Sequence, residues 1–118
     1  VRAALEVLRL AHAERRIVVL GAMAELGEDA AALHAGLGPD IIAAADLVFT
    51  VGADTQALDE LLPGAMRGGH WRTSAEAAPE IAAAARPGDA ILVKGSNATA
   101  MEAVVRALVA LRETGGTA

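Results

Sequence analysis

Three short apolar runs, residues 17–20 (IVVL), 47–51 (LVFTV) and 90–93 (AILV), decide most of what this chain can fold into. Each is too short for a helix and is nearly continuous in apolar character, the pattern of a strand buried on both faces. Each ends abruptly, at Gly21, at Gly52 and at the polar turn Lys94-Gly95-Ser96-Asn97. The segments between them carry apolar residues at helical spacing. Strands alternating with helices predict an α/β domain: a mostly parallel sheet covered by helices on both faces, with right-handed crossovers.

The helical segments can be placed from their periodicity and caps. Val1, Ala4, Leu5, Leu8 and Ala11 fall on one face, so a first helix runs to about Glu14, with Arg15 and Arg16 at its negative end. Glu28 and Asp29 suit the first turn of the next helix, whose phase continues through Ala45. Gly36, Gly38 and Pro39 interrupt it, predicting a kink or two short helices, the second with Pro39 in its first turn. Asp54 reads as the cap of a short helix with Leu58, Leu61 and Leu62 inward, ended by Pro63-Gly64. After Gly68-Gly69, residues 70–72 read as a brief, edge-like strand. Thr73 and Glu76 have capping-box spacing before a helix to about Ala85, with Pro79 blurring its start. Arg86-Pro87-Gly88-Asp89 is a turn, and a last helix begins near Ala98, its apolar face marked by Met101, Val104, Val105, Leu108 and Leu111.

At 118 residues the chain amounts to one domain. Phe49 and Trp71 are its only aromatics, so the core must be aliphatic and alanine-rich. A net charge of −5 argues against a nucleic-acid footprint, which needs a clustered basic surface. Without cysteine there is neither a disulfide framework nor a thiolate ligand or nucleophile. No apolar run approaches the roughly 18 residues of a membrane span, and no basic-then-apolar leader is present, so a soluble, cytoplasmic protein is expected. The chain opens on Val1 and enters a helical pattern at once, as a segment of a longer protein would.

Ligands of parallel sheets bind beyond the carboxyl ends of the strands, where loops and helix N-termini converge. Two loops qualify: residues 21–27 (GAMAELG) after the first strand, and residues 94–97 after the last. In the second, Lys94 supplies charge, Gly95 permits close backbone approach, and Ser96 and Asn97 offer donors, a set that suits a carboxylate or phosphate. Lys94 is the sole lysine, every other long basic side chain being Arg, so a compact ammonium is singled out there. Spacing alone does not separate such a site from a loop whose Gly merely turns and whose Ser96 or Thr99 merely caps. Neither G-x-x-x-x-G-K-[ST] nor G-x-G-x-x-G is present, so the chain has no recognisable ATP or dinucleotide site of its own. His12, His34 and His70 lack metal-site spacing: His12 and His70 read as surface residues, and His34 as a helix-packing residue that could also orient the first loop. Glu25, the one acid inside the first loop, could brace it or contact substrate.

With both loops in view, the chain resembles the C-terminal domain of the Mur ligases. The resemblance rests on residues 16–27 (RIVVLGAMAELG), Leu33-His34, residues 47–52 and above all residues 87–97 (PGDAILVKGSN), with Met101-Glu102 and Val104-Val105 beyond. It covers almost the whole chain, and its strength lies in order and spacing. It implies a Rossmann-like sheet that closes over an N-terminal domain holding UDP-N-acetylmuramoyl-tripeptide and a central P-loop domain holding ATP and Mg2+. The reaction it implies is ligation of D-alanyl-D-alanine through an acyl phosphate, in peptidoglycan precursor synthesis. Carried over position by position, Lys94 would be catalytic, and Met23, Glu25, Ser96 and Asn97 would face the dipeptide and the reacting phosphate. Ala22 stands where relatives commonly carry an acid, and Asn97 where many carry Arg, which replaces a bidentate carboxylate clamp by a neutral amide. The segment alone is expected to be inactive.

Two readings compete. A phosphorelay receiver shares a parallel sheet and a Lys at a late strand's end, but Leu20-Gly21-Ala22 lacks its acids and Val51-Gly52 occupies the place of its phospho-accepting Asp. The other is a small Rossmann-like ligand-binding or interaction domain of unassigned ligand.

Overall fold

A computed structural model describes residues 2–21, 36, 38–52, 55–94 and 98–114. Its elements, in chain order, are helix α1 (Arg2–Leu10), strand β1 (Arg15–Gly21), helix α2 (Gly38–Ala44), strand β2 (Leu47–Val51) and helix α3 (Gln56–Leu61). A 3-10 turn (Gly64–Met66) leads to strand β3 (Arg67–Trp71), helix α4 (Ser74–Ala84), strand β4 (Asp89–Lys94) and helix α5 (Ala98–Thr114). The described strands form one sheet in the order β3-β2-β1-β4, every neighbouring pair parallel. The expected α/β architecture is therefore present, with β3 at an edge as anticipated, although it runs over Arg67–Trp71 and takes in Gly68-Gly69 rather than spanning residues 70–72.

Strand alternation divides the core in two. Val18, Leu20 and Val48 face one side and pack with Leu5 and Leu8 of α1, Ile41 and Ala44 of α2, and Leu58 of α3. Ile17, Val19, Phe49 and Val51 face the other, against Ala77, Ala78 and Ile81 of α4 and Met101 and Val104 of α5. Burying one such branched side chain contributes on the order of 1.5–3 kcal/mol, and the central strand β1 is buried from Ile17 to Gly21. The two aromatics meet on the second face, ring centroids 5.8 Å apart and tilted by 32°. Among the described residues no helix is long and apolar enough to cross a membrane.

Several expectations are corrected. Helix α1 stops at Leu10, and the Arg16 guanidinium donates to carbonyls at and just beyond its end, Leu8 O at 3.1 Å and Ala11 O at 2.5 Å. Arg15 does not join it. Its Nε and Nη2 donate to the two oxygens of Asp89 at 3.0 and 2.7 Å, and Nη2 also donates to Ala84 O at 2.8 Å. Asp89 accepts a further bond from Arg86 N, so the Arg15–Asp89 pair joins β1, α4 and the turn before β4. Burial pushes the Asp89 carboxyl up, but the Arg15 and Arg86 hydrogen bonds and the nearby positive charge outweigh it and hold it below the ordinary carboxylate range.

In α3, Leu58 and Leu62 are buried but Leu61 is 61% exposed, since the helix ends at Leu61 and Leu62 turns extended. Thr55 occupies the N-cap of α3 and bonds Gly52 O at 2.8 Å; Asp54 lies outside the described residues. Helix α2 carries Pro39 in its first turn as expected, while the segment before it is outside the described residues apart from Gly36. Thr73 caps α4, accepting from Glu76 N, although the Glu76 carboxylate accepts the Thr73 hydroxyl rather than reaching back to the backbone. Pro79 sits within α4 on an exposed side without ending it.

Candidate functional site

The carboxyl edge of the sheet is defined by the last residues of the parallel strands. Lys94 lies opposite Leu20, Leu20 opposite Thr50, and Thr50 opposite His70, one row across all four described strands. Residues in one row share a face of a sheet, and strands about 4.8 Å apart put Lys94 and His70 roughly 14 Å from one another. Between them sit Leu20 and Thr50, both wholly buried, so the two polar ends of the row are separated by a closed floor.

Lys94 ends β4 half-buried, and among the described residues its ammonium has neither an ion pair nor a hydrogen bond. Beneath it, the Ile91, Leu92 and Val93 side chains enter the two cores, and α5 begins at Ala98. A flexible ammonium on a strand end, rooted in apolar packing and lacking a partner, is suited to an incoming anion. Met23, Glu25, Ser96 and Asn97, the other anticipated contacts, and His34 lie outside the described residues. The structure brings none of them to Lys94 or away from it.

The junction of the two loops can be described from their roots. Gly21, the last residue of β1, is approached by Met101 in the first turn of α5: a Cβ on Gly21 would fall 2.5 Å from the Met101 sulfur. Glycine thus lets the Met101 thioether lie directly on the strand where the first strand meets the last helix.

His70 departs from expectation. It is half-buried, and its Nδ1 lies 2.7 Å from Oγ1 of Thr50, a residue with no exposed surface. The sequence signal for this arrangement was the Gly68-Gly69 pair, which in a strand marks a bulge or a close approach. His12, by contrast, is exposed as read. Among the described residues no group of three or more His, Asp or Glu could hold a metal ion.

The family description "Mur ligase, glutamate ligase domain" matches residues 1–97. The UDP-N-acetylmuramoyl-tripeptide--D-alanyl-D-alanine ligase of Mycobacterium bovis is 37% identical over a 114-residue alignment covering 81% of this chain and 22% of that protein. A crystal structure of MurF from Acinetobacter baumannii superposes with a TM-score of 0.72 at 30% identity, covering 92% of this chain and 24% of the other. The MurF ligase of Thermotoga maritima, solved in complex with ADP, gives the same TM-score of 0.72 at 24% identity, over 95% of this chain and 25% of that one. The chain spans a quarter or less of the length of these relatives. The parallel sheet, the lysine at the end of its last strand and the family match over residues 1–97 lead to one assignment: the chain belongs to the Mur ligase family, as the C-terminal domain of a MurF-like ligase.

Proposed function

We propose that this chain is the closing domain of an ATP-dependent ligase that joins D-alanyl-D-alanine to UDP-N-acetylmuramoyl-tripeptide in cytoplasmic peptidoglycan precursor synthesis. The observation that carries this reading is Lys94, an ammonium without a partner among the described residues, at the carboxyl end of β4 in a domain whose relatives are named for that ligation. Membership of the Mur ligase family sets the phosphorelay reading aside.

In this proposal ATP and Mg2+ are held mainly by other domains of the full-length enzyme, and the tripeptide carboxylate arrives as an acyl phosphate. The dipeptide amine attacks its carbonyl carbon, the C–N bond forms, the C–O bond to phosphate breaks, and the amine loses a proton as phosphate leaves. Lys94 stabilises the negative charge that gathers on the acyl phosphate, or holds the dipeptide carboxylate, once closure excludes water. Met23, Glu25, Ser96 and Asn97 are assigned to the same substrates, with the neutral Asn97 leaving Lys94 as the main local charge of the second loop.

The test is made in the full-length enzyme. Lys94→Ala should lower ligation by about 100-fold, the effect of removing one preorganised charge-stabilising donor. Lys94→Arg should restore little, since a planar fork replaces a point charge. The thermal midpoint should stay near the parent's, and unchanged ligation by Lys94→Ala would remove the catalytic role. The 118-residue chain alone should show no stoichiometric MgATP binding in calorimetry; stoichiometric binding would return the nucleotide site to this domain.

A further inference from the structure

On the opposite edge of the sheet from Lys94, β3 does something a regular strand cannot. Arg67 and His70 are three residues apart, a spacing that alternation would send to opposite faces. A register shift between Val48 and Phe49 leaves Gly68 unpaired, so Arg67 pairs with Val48 and His70 with Thr50. Both basic side chains thereby turn to the α3 side. Gly68 is what allows it: a Cβ there would fall 2.5 Å from the Phe49 ring. Bulges at sheet edges re-aim side chains in this way.

The face so produced borders an open pocket of about 420 Å³ lined by Asp59, Gly64, Arg67, Gly69 and His70. Asp59 is 5% exposed, and its Oδ2 accepts from Arg67 Nη2 at 2.7 Å. Its Oδ1 is buried and has no hydrogen-bond partner among the described residues. A carboxylate oxygen buried without a donor is rare in native proteins, because the lost hydration is not replaced. Across the pocket, the fully buried Thr50 hydroxyl has His70 Nδ1 as its one hydrogen-bond partner among the described residues. The tautomer that gives this buried O–H an acceptor has Thr50 donating to Nδ1, with the ring proton on Nε2 as an outward donor; the other tautomer would leave the O–H unused.

From this geometry we infer a second binding site, on the β3 edge, for the zwitterionic end of an amino acid or short peptide. Its carboxylate is received by the Arg67 guanidinium and His70 Nε2–H, and its ammonium supplies the donor that Asp59 Oδ1 lacks. Charge balance favours this class over a simple ion. Asp59 and Arg67 already neutralise each other, so a zwitterion leaves the pocket neutral, whereas a bare anion or cation adds an uncompensated charge. The site is independent of the ligase reading, because it uses neither Lys94 nor either loop.

The experiment is a titration of the 118-residue chain with glycine, acetate and methylammonium, followed by NMR of the His70 imidazole and of the β3 amides. Glycine should shift these signals saturably, at concentrations about tenfold lower than acetate or methylammonium, since each carries only one of the two charge-assisted contacts. Asp59→Asn should weaken glycine about tenfold or more and should not weaken acetate, since the ammonium loses its acceptor while Arg67, released from its partner, receives a carboxylate at least as well. Lys94→Ala should bind glycine as the parent does, so a failed ligase assignment and a failed second site give different results. Equal responses to glycine and acetate would reduce the pocket to an anion site. No saturable response to glycine, or full retention in Asp59→Asn, would also overturn the inference. Should Asp59→Asn not fold, the comparison of the three probes on the parent chain decides alone.

Discussion

The two ends of the sheet treat their charged groups in opposite ways. At the amino end of the strands, Arg15 is clamped to Asp89 and Ala84 O, Arg16 closes α1 with its side chain, and the Arg16 N–H donates to Asp46 at 2.9 Å. The backbone joins in, with Glu14 N donating to Gly88 O at 3.0 Å and Asp46 N to Arg16 O at 2.7 Å. At the carboxyl end the one lysine has no such partner among the described residues. A charge with several partners holds the fold together, and a charge with none is available to a ligand. Proximity to a strand end alone therefore does not separate these residues; whether the fold already uses the charge does.

The comparison can be broken from either side. The largest effect should come from the open end: Lys94→Ala should cost about 100-fold in ligation by the full-length enzyme and almost nothing in thermal midpoint. At the closed end the pattern should invert. Asp89→Asn should destabilise the domain by about 2 kcal/mol, measured by denaturant unfolding, because Arg15 loses the partner of a pair whose side chains are only 23% and 4% exposed. A loss of ligation from Asp89→Asn without loss of stability would contradict this division.

The acid limb sharpens it. Because the folded-state Asp89 carboxyl is depressed below its ordinary 3.8, its contribution is fully present above that value and is lost as pH falls through the lower folded-state value. Part of the fall in stability below about pH 3.8 should therefore be missing in Asp89→Asn, as read from unfolding midpoints across that range. Smallest of the set is Thr73→Ala, which removes the N-cap bond of α4 and should cost about 1 kcal/mol, with no change in ligation.

How much of this was legible in the sequence follows from what each element depends on. Strand β2 was readable to the residue, because residues 47–51 form an apolar run between a helix and a glycine. Arg15 and Arg16 were read together as the end of α1, yet adjacent residues on a strand point to opposite faces, and only Arg16 points back to the helix. Leu61 kept helical spacing with Leu58, but spacing does not say where a six-residue helix stops relative to its core. His70 was misread because its setting depends on a bulge and on Thr50, twenty residues away in sequence. The place of Lys94 at the end of β4 was legible, since it needed only composition and a strand end; its role remains the proposal made above. The first-loop and second-loop contacts Met23, Glu25, Ser96 and Asn97 rest on the family pattern alone.

The close approach of Met101 to Gly21 has a mechanical consequence. The two segments that leave the carboxyl edge spring from adjacent parallel strands about 4.8 Å apart. The helix that receives the second segment rests on the last residue before the first one. The roots of both loops are thus bolted to a single footing, with only the play of a methionine side chain between them. Widening that joint with one methyl group, Gly21→Ala, would act as a shim against the Met101 thioether, and the thermal midpoint of the variant would read how much of the added volume a flexible side chain absorbs.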